Sequence, residues 1–359
     1  MFQINKNAFR GIESHIDGLY LDTNSLHSLP EAVGSILNLK LLRLSGNPIL
    51  SLNPSVMAKI GHSLTEIFFG MASFQQWPSE LRFLNELQQL GLSDIPFQSL
   101  DSDAFHGLTH VLYLTIARSN LKKIPNAVCT LSALTSLQIT ENYFFNESKS
   151  DVFEPCINIT GTSNVQSITY TYNRVDYFPN ILTMIPYVLV VNMHNNDMRF
   201  MDADKFEENV YVGTLTLFWN KFRKIPRGLN IFKMLNYLDL DFNLIYSIED
   251  NDLIGLRSLT SIHLAYNPIQ FITNKAFQNN MKLTFVNWSH TFLTTIPAAV
   301  TMLPDLQTLG IEANDIECTC DLASLKNWNV SYIQIDGLCY LTNEPIEKFI
   351  KTYIDAGKC

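Results

Sequence analysis

A repeat with a period of 23 to 25 residues runs through almost all of the 359-residue sequence and restricts its fold more than any other feature. The consensus is L-x-x-L-x-L-x-x-N-x-L, as in the segment Leu39–Ile49. Thirteen copies share one register, and a single longer step of 31 residues separates copies 6 and 7. Copies 1 to 13 begin at Ile16, Leu39, Leu64, Leu87, Val111, Leu134, Val165, Val188, Val212, Leu235, Leu259, Leu283 and Leu306.

The apolar spacing within each copy predicts a stacked α/β structure. The L-x-L pair alternates between two faces, so each copy is expected to contain a short strand. One coil cannot bury its own apolar face, so neighbouring coils must stack into a solenoid whose strands form a parallel sheet. Asparagine in the ninth position is expected to bond buried backbone groups of adjacent coils. It occurs at Asn24, Asn47, Asn142, Asn173, Asn196, Asn220, Asn243, Asn267 and Asn314. The exceptions, which predict slightly irregular coils, are Ala72, Ile95, Ser119 and Thr291.

This pattern resembles the extracellular leucine-rich repeat family in its typical form. The resemblance covers roughly the whole chain and implies a curved horseshoe with the parallel sheet on its concave face. We expect a remnant of a preceding repeat at 1–15, thirteen repeats at 16–316, and a cysteine-rich cap at 317–359. The amino-terminal cap usual in this family is missing, and the segment Met1–Lys6 lacks the apolar region of a signal peptide. We therefore expect more chain to precede Met1 in nature.

Four of the six cysteines follow the last repeat directly, at Cys318, Cys320, Cys339 and Cys359. Their spacing alone allows three pairings. The segment resembles the carboxy-terminal flanking cap of extracellular leucine-rich repeats, which implies the disulfides Cys318–Cys339 and Cys320–Cys359. A zinc site is the alternative, but a C-x-C spacing is not typical of zinc ligands.

The remaining cysteines and the glycosylation sequons favour a secreted protein. Cys129 and Cys156 lie in adjacent coils and are predicted to form a disulfide, with two buried free thiols as the alternative. Disulfides persist in oxidising compartments. Sequons for N-glycosylation begin at Asn146, Asn158, Asn287 and Asn329. Localisation is therefore predicted to be extracellular.

Charge and motifs restrict the classes of partner and chemistry. With 25 basic and 34 acidic residues the net charge is −9, which argues against a nucleic-acid partner. No apolar run reaches the ~18–20 residues of a membrane helix, so no membrane insertion is expected of this chain. We find no nucleotide, metalloprotease or nucleophile motif, and expect neither enzymatic activity nor a cofactor. The pairs Asp202-x-Asp204 and Asp239-x-Asp241 are interpreted as solvated acids rather than metal ligands.

Function is therefore expected on the concave face, at the second, third, fifth, seventh and eighth positions of each copy. Aromatic and polar residues cluster there in copies 7 to 11. The candidate binding residues are Tyr172, Asn192, Phe218, Trp219, Tyr237, Asp239, Phe242, His263 and Tyr266. Such clusters are typical of protein-recognition surfaces. The alternative is that the rings only cover the neighbouring coil. A glycan on Asn287, in a fifth position, would shield copies 11 to 13. We therefore expect a partner to dock on copies 7 to 11, amino-terminal to that sugar.

The favoured function is a non-enzymatic extracellular module that binds a protein or glycoprotein, in adhesion, in matrix or as a receptor ectodomain. A second hypothesis is a secreted non-catalytic subunit of an enzyme complex, because the cap is similar to that of proteins related to the shrimp luciferase accessory subunit. A third is a cytosolic scaffold, since the 23-residue copies resemble those of intracellular Ras-binding leucine-rich proteins. Many such horseshoes dimerise, so a homodimer is a further expectation.

Overall fold

The computed structural model describes residues 3–142, 164–201, 211–326 and 328–359. The chain forms two compact units. The first unit comprises Met1–Arg174 and Asn180–Val188, and the second comprises Val175–Pro179 and Leu189–Cys359. Each unit is a stack of coils with a parallel sheet on one side.

The sheet of the first unit has seven described strands, each paired in parallel with the next. They are β1 (Gly18–Tyr20), β2 (Leu41–Leu44), β3 (Glu66–Gly70), β4 (Gln89–Ser93), β5 (Tyr113–Ala117), β6 (Ser136–Thr140) and β7 (Ser167–Thr171). Helix α1 (Pro54–Ile60) begins after Asn53, whose side chain accepts hydrogen bonds from the backbone of Ser55 and Val56. Short 3₁₀ helices span Glu31–Ser35, Ser79–Phe83, Asn126–Thr130 and Asn180–Thr183.

The main sheet of the second unit also has seven described strands in parallel succession. They are β8 (Val190–Asn192), β9 (Thr214–Thr216), β10 (Tyr237–Asp239), β12 (Ser261–His263), β14 (Phe285–Asn287), β15 (Thr308–Gly310) and β16 (Gln334–Asp336). A separate pair joins β11 (Ser247–Ile248) to β13 (Phe271–Ile272). Described helices are α2 (Ile346–Phe349), a π turn at Ile350–Ile354, and 3₁₀ helices at Leu229–Ile231, Ala298–Met302, Cys320–Leu325 and Val330–Tyr332.

The repeat register predicted from the sequence is confirmed strand by strand. In all thirteen copies the strand begins at the third position, two residues after the predicted first residue of the copy. Strand β16 was not predicted. It comes from the cap segment and pairs with β15, so it covers strand-edge groups that would otherwise have no ladder partner.

The ninth-position asparagines join successive coils as expected. The Asn243 side-chain nitrogen donates to the carbonyls of Leu217 and Leu240, and its oxygen accepts from the backbone nitrogen of Phe222. Two of the exceptions keep this connection by another route. The hydroxyls of Ser119 and Thr291 donate to the side-chain oxygen of the asparagine one coil later, each at 2.5 Å. A short hydroxyl therefore substitutes for an amide where the next coil retains its asparagine.

The cap contains the disulfides Cys318–Cys339 and Cys320–Cys359, which is the pairing that the family resemblance implies. Since these sulfurs are bonded to one another, they are not available as zinc thiolates. Cys129 also forms a disulfide, whereas its predicted partner Cys156 lies outside the described residues. Among the described residues, no helix is long and apolar enough to cross a membrane.

Candidate functional site

The eighth position of the repeat adopts a left-handed backbone conformation in twelve of the thirteen copies, with Met71 as the exception. These residues lie between the end of each strand and the buried ninth residue. Where the eighth residue is not glycine, φ ranges from 48° to 57°. An L-residue in this region costs about 1 kcal/mol, and the stacked coils hold it there repeatedly. Side chains in this position therefore lie at the same place in each coil, so those of successive coils are neighbours.

In the second unit this position carries four stacked rings, which we call the ring ladder: Trp219, Phe242, Tyr266 and His290. Ring centroids lie 4.4 Å apart from Trp219 to Phe242, 4.2 Å from Phe242 to Tyr266 and 4.1 Å from Tyr266 to His290. The planes differ by at most 11°. Trp219 nevertheless remains 52% exposed and Tyr266 45% exposed. The ladder thus presents the edges of its rings to solvent.

The third, fifth, seventh and eighth positions of copies 8 to 13 form what we call the open face of the second unit. Side chains in its third and fifth positions are mostly half-buried, whereas the fourth and sixth positions of each copy lie in the core. A second group of rings lies here: His263 is 4.9 Å from Tyr237 and 4.7 Å from Phe285, measured between centroids. In the seventh positions, His194 stacks on Phe218 at 4.3 Å.

Two carboxylates, Asp239 and Asp241, lie among these rings. Asp239 Oδ1 accepts from the backbone nitrogen of Asp241 at 3.0 Å, and Asp241 Oδ1 accepts from that of Ala265 at 2.6 Å. Burial, together with the charge of Asp239, raises the pKa of Asp241 to about 7, and burial also raises the pKa of Asp239. The sequence interpretation of solvated acids is therefore wrong for this pair. The sheet and its rings partly exclude water from these two carboxylates, which the repeat pattern alone did not predict.

The neighbouring polar groups are mostly satisfied within the protein. The Ser261 hydroxyl lies 3.1 Å from His263 Nε2, and the Thr216 hydroxyl donates to Asn192 Oδ1 at 2.7 Å. Burial lowers the pKa of both His194 and His263, so their imidazoles are neutral at pH 7. Burial, with a further contribution from the two aspartates, raises the pKa of Tyr237.

Eight of the nine candidate binding residues lie in the second unit. They are Asn192, Phe218, Trp219, Tyr237, Asp239, Phe242, His263 and Tyr266. Tyr172 belongs to the first unit, where it is 53% exposed in a left-handed eighth position. The sequence selection omitted His194, Phe285 and His290. Treating histidine as a ring that recurs every 23 or 24 residues would have found His290.

Two of the predicted glycosylation sites fall within the described residues. Asn287 is half-buried on β14, next to His263 in register, and its side-chain oxygen accepts from the backbone nitrogen of Ser289. Asn329 is exposed in the cap. The sites Asn146 and Asn158 lie outside the described residues. Among the described residues, no group of three or more histidine, cysteine or acidic side chains is placed to hold a metal ion.

Comparison with known proteins gives a consistent class of relatives. A family model described as leucine rich repeat matches residues 85–144 and 257–316. Mouse podocan is 25% identical over 312 residues, covering 72% of this chain and 50% of podocan. Zebrafish transforming growth factor beta activator LRRC33 is 25% identical over 348 residues, covering 85% of this chain and 49% of that protein. The chain therefore spans about half the length of these relatives.

Solved structures show the same fold. A leucine-rich-repeat protein from Leptospira interrogans aligns over 94% of this chain and 82% of its own, with a TM-score of 0.61 and 19% identity. A chain of the Drosophila Toll–Spatzle complex aligns over 94% of this chain and 49% of its own, with a TM-score of 0.65 and 17% identity. At such identities the likeness concerns the fold alone.

Proposed function

Because the chain is a leucine-rich-repeat protein with a cysteine-rich carboxy-terminal cap, we propose that it is an extracellular recognition module. It binds a protein or glycoprotein partner on the open face of its second unit. The observation that carries this proposal is the ring ladder, in which Trp219 and Tyr266 stay about half exposed although each stacks on Phe242.

Stacking between coils covers both faces of Tyr266 and one face of Trp219, and about half of each side chain remains exposed. Tryptophan and tyrosine are the side chains most enriched among residues that dominate binding energy, because they combine a large apolar area with a polar tip. The rings are also held rigidly, since the left-handed backbone and the stacked neighbours fix their direction. Little side-chain entropy is then lost when a partner covers them.

The disulfides support an extracellular location. Both cap disulfides and the disulfide of Cys129 need an oxidising compartment to persist. This chemistry disfavours the cytosolic scaffold. The exposed sequon at Asn329 is accessible for glycosylation in the same compartment. Toll, which shares the fold, is described in complex with Spatzle.

The test is a binding screen of the multimerised chain against an array of secreted and cell-surface proteins from the same organism. Hits are then measured with the double variant Trp219→Ala/Tyr266→Ala. The matched control is Phe292→Ala/Tyr332→Ala, which removes two rings that are 64% and 84% exposed outside the ladder. We expect the ladder variant to lose affinity by about tenfold or more, since such anchors each contribute ~1–2 kcal/mol or more, whereas the control keeps it.

The possible outcomes test two claims separately: that the open face is the binding surface, and that the chain recognises extracellular proteins. Equal affinity of the ladder variant and the wild-type chain would exclude the open face as the binding surface. A screen with no hit at all would contradict extracellular recognition of proteins. Thermal melts of both variants distinguish a local loss of contact from unfolding.

A further inference from the structure

The open face of the second unit is acidic and carries no lysine or arginine. Its charged residues in the third, fifth, seventh and eighth positions of copies 8 to 13 are Asp239, Asp241 and Glu312. The neutral imidazoles of His194 and His263 add no compensating charge at pH 7. Among the described ion pairs, none involves Asp239 or Asp241. Within the part of the chain that the structure describes, the face therefore holds carboxyl groups that no cation pairs.

Aromatic residues adjoin the two carboxylates in the same coil and in the coil before it. The backbone nitrogen of Trp219 donates to the Asp241 carbonyl at 3.1 Å, so the two residues lie side by side in adjacent coils. Phe242 follows Asp241 directly, and Tyr237 is close enough for both carboxylates to act on its hydroxyl. A guanidinium group suits such surroundings because it bonds carboxylates through its edge and packs on rings through its plane.

We propose that the open face binds a basic protein segment, with an arginine side chain between Asp239 and Asp241 and neighbouring apolar side chains on the ring ladder. This rests on the proposed function and specifies the chemistry of its partner. The two carboxylates are already partly desolvated in the free protein. An arriving cation therefore gains their attraction without incurring that part of the desolvation penalty again. A neutral glycan can donate hydrogen bonds to the carboxylates but brings no positive charge to pair with them.

The experiment is a selection of random peptides displayed on phage against the wild-type chain. Enriched peptides are then titrated against Asp239→Asn/Asp241→Asn, which keeps the shape of both side chains and removes their charge. The control Asp101→Asn/Asp103→Asn removes the same charge at the same spacing from two exposed residues of the first unit. We expect the enriched peptides to contain arginine, to lose about tenfold or more in affinity for the first variant, and to bind the control normally.

The outcomes distinguish failure of this inference from failure of the proposed function. Peptides that lack basic residues, or that bind Asp239→Asn/Asp241→Asn as tightly as wild type, overturn the basic-segment proposal. If they still require Trp219 and Tyr266, the proposed recognition surface stands. If they require neither pair of residues, both proposals fail, as they do if no peptide is enriched. Binding of neutral glycans that depends on the ring ladder also overturns the basic-segment proposal.

Calorimetry of an enriched peptide supplies a second readout. At pH 7 a part of the Asp241 carboxyls carries a proton in the free protein, because burial and the charge of Asp239 raise the pKa to about 7. A guanidinium held against Asp241 favours the ionised form, so binding should release a fraction of a proton. The heat measured in two buffers of different ionisation enthalpy should then differ for wild type and agree for the aspartate variant. Identical heats for wild type would contradict contact with Asp241.

Discussion

Apart from Met71, the eighth position of the repeat has the same left-handed backbone in both units, but its surface chemistry differs between them. In the first unit it carries an ionic series, in which Arg118 Nε lies 3.0 Å from Asp94 Oδ1 and Arg118 Nη1 lies 3.7 Å from Glu141 Oε2. In the second unit it carries the ring ladder. Both series rest on left-handed residues spaced 23 or 24 residues apart.

The difference shows in which unit charged surface groups are paired with one another and in which unit they are not. Among the described ion pairs, five of the six charged residues on this side of the first unit take part, and only Glu66 does not. Arg43, for example, bonds Asp22 at 3.0 Å and lies over the Phe68 ring. Among its described residues, the second unit has no cation paired with two half-buried carboxyl groups, and the edges of its stacked rings are exposed. A repeat scaffold can therefore carry a self-contained surface and a binding surface on the same backbone plan.

The largest effect is expected where the two units are alike. Asn47→Ala and Asn243→Ala each remove a buried amide, which makes three backbone hydrogen bonds at Asn47 and four at Asn243. We expect each to lower the free energy of unfolding by about 2–4 kcal/mol, since backbone groups of two coils lose their partner. Urea titration checks this. A large loss in one unit and none in the other would show that the units differ inside as well as on the surface.

The two eighth-position series should differ in strength and in their response to salt. Phe242→Ala removes a half-buried ring stacked on both sides and should cost about 2 kcal/mol of unfolding free energy, independent of salt. Arg118→Ala removes exposed ion pairs and should cost below about 1 kcal/mol, with the loss disappearing near 1 M salt. Urea titrations at low and high salt decide this, and equal salt dependence would contradict the distinction.

The unpaired carboxylate should make the second unit less stable as pH rises. Asp241 binds its proton more tightly in the folded protein than in the unfolded chain, since its pKa rises from 3.8 to about 7. Its contribution to stability is therefore full below about pH 4 and is lost as pH rises to about 7. At pH 8 we expect Asp241→Asn to be about 1–2 kcal/mol more stable than wild type, a value reduced by partial access to water.

Thermal or urea unfolding between pH 4 and 8 measures that dependence. Asp101→Asn serves as the control, because it removes an exposed carboxyl of the first unit and should leave the profile unchanged. Parallel pH profiles for wild type and Asp241→Asn would mean that this carboxyl is solvated after all.

The smallest effect is expected at the sequon on the open face. Asn287→Gln removes the glycosylation signal and should leave partner affinity unchanged or improve it, because any glycan there adjoins His263 on the open face and competes with the partner for space. Binding of protein from a secretory host checks this. A clear loss of affinity would mean that the partner needs the glycan or Asn287 itself. Asn329→Gln, in the cap, is the matched control.

Much of the fold follows from the sequence because its signals are local and repeated. The spacing of apolar residues determines where each strand begins, and asparagine at the ninth position marks the buried turn. The cap strand β16 could not be found in this way, since Gln334–Asp336 has no repeat around it. The pair β11 and β13 is only two residues long in each strand, which leaves no periodic pattern to recognise.

The candidate site was less predictable because its properties depend on neighbours one coil away. The sequence identifies Trp219, Phe242 and Tyr266 as recurring rings, but their stacking requires the left-handed backbone that fixes their direction. The raised pKa of Asp241 arises from burial and from Asp239, and neither effect is encoded in the Asp-x-Asp spacing. Contacts between neighbouring coils therefore determine properties of the site that the period of the sequence does not predict.

Hydrogen exchange of the chain with and without its bound protein partner or enriched peptide tests the central claim most directly. The account predicts slower exchange in the strands β8, β9, β10 and β12 and in the turns that carry the ring ladder, with the strands β1 to β6 unchanged. Protection confined to the first unit, or absent from the turns at Trp219, Phe242 and Tyr266, would contradict it.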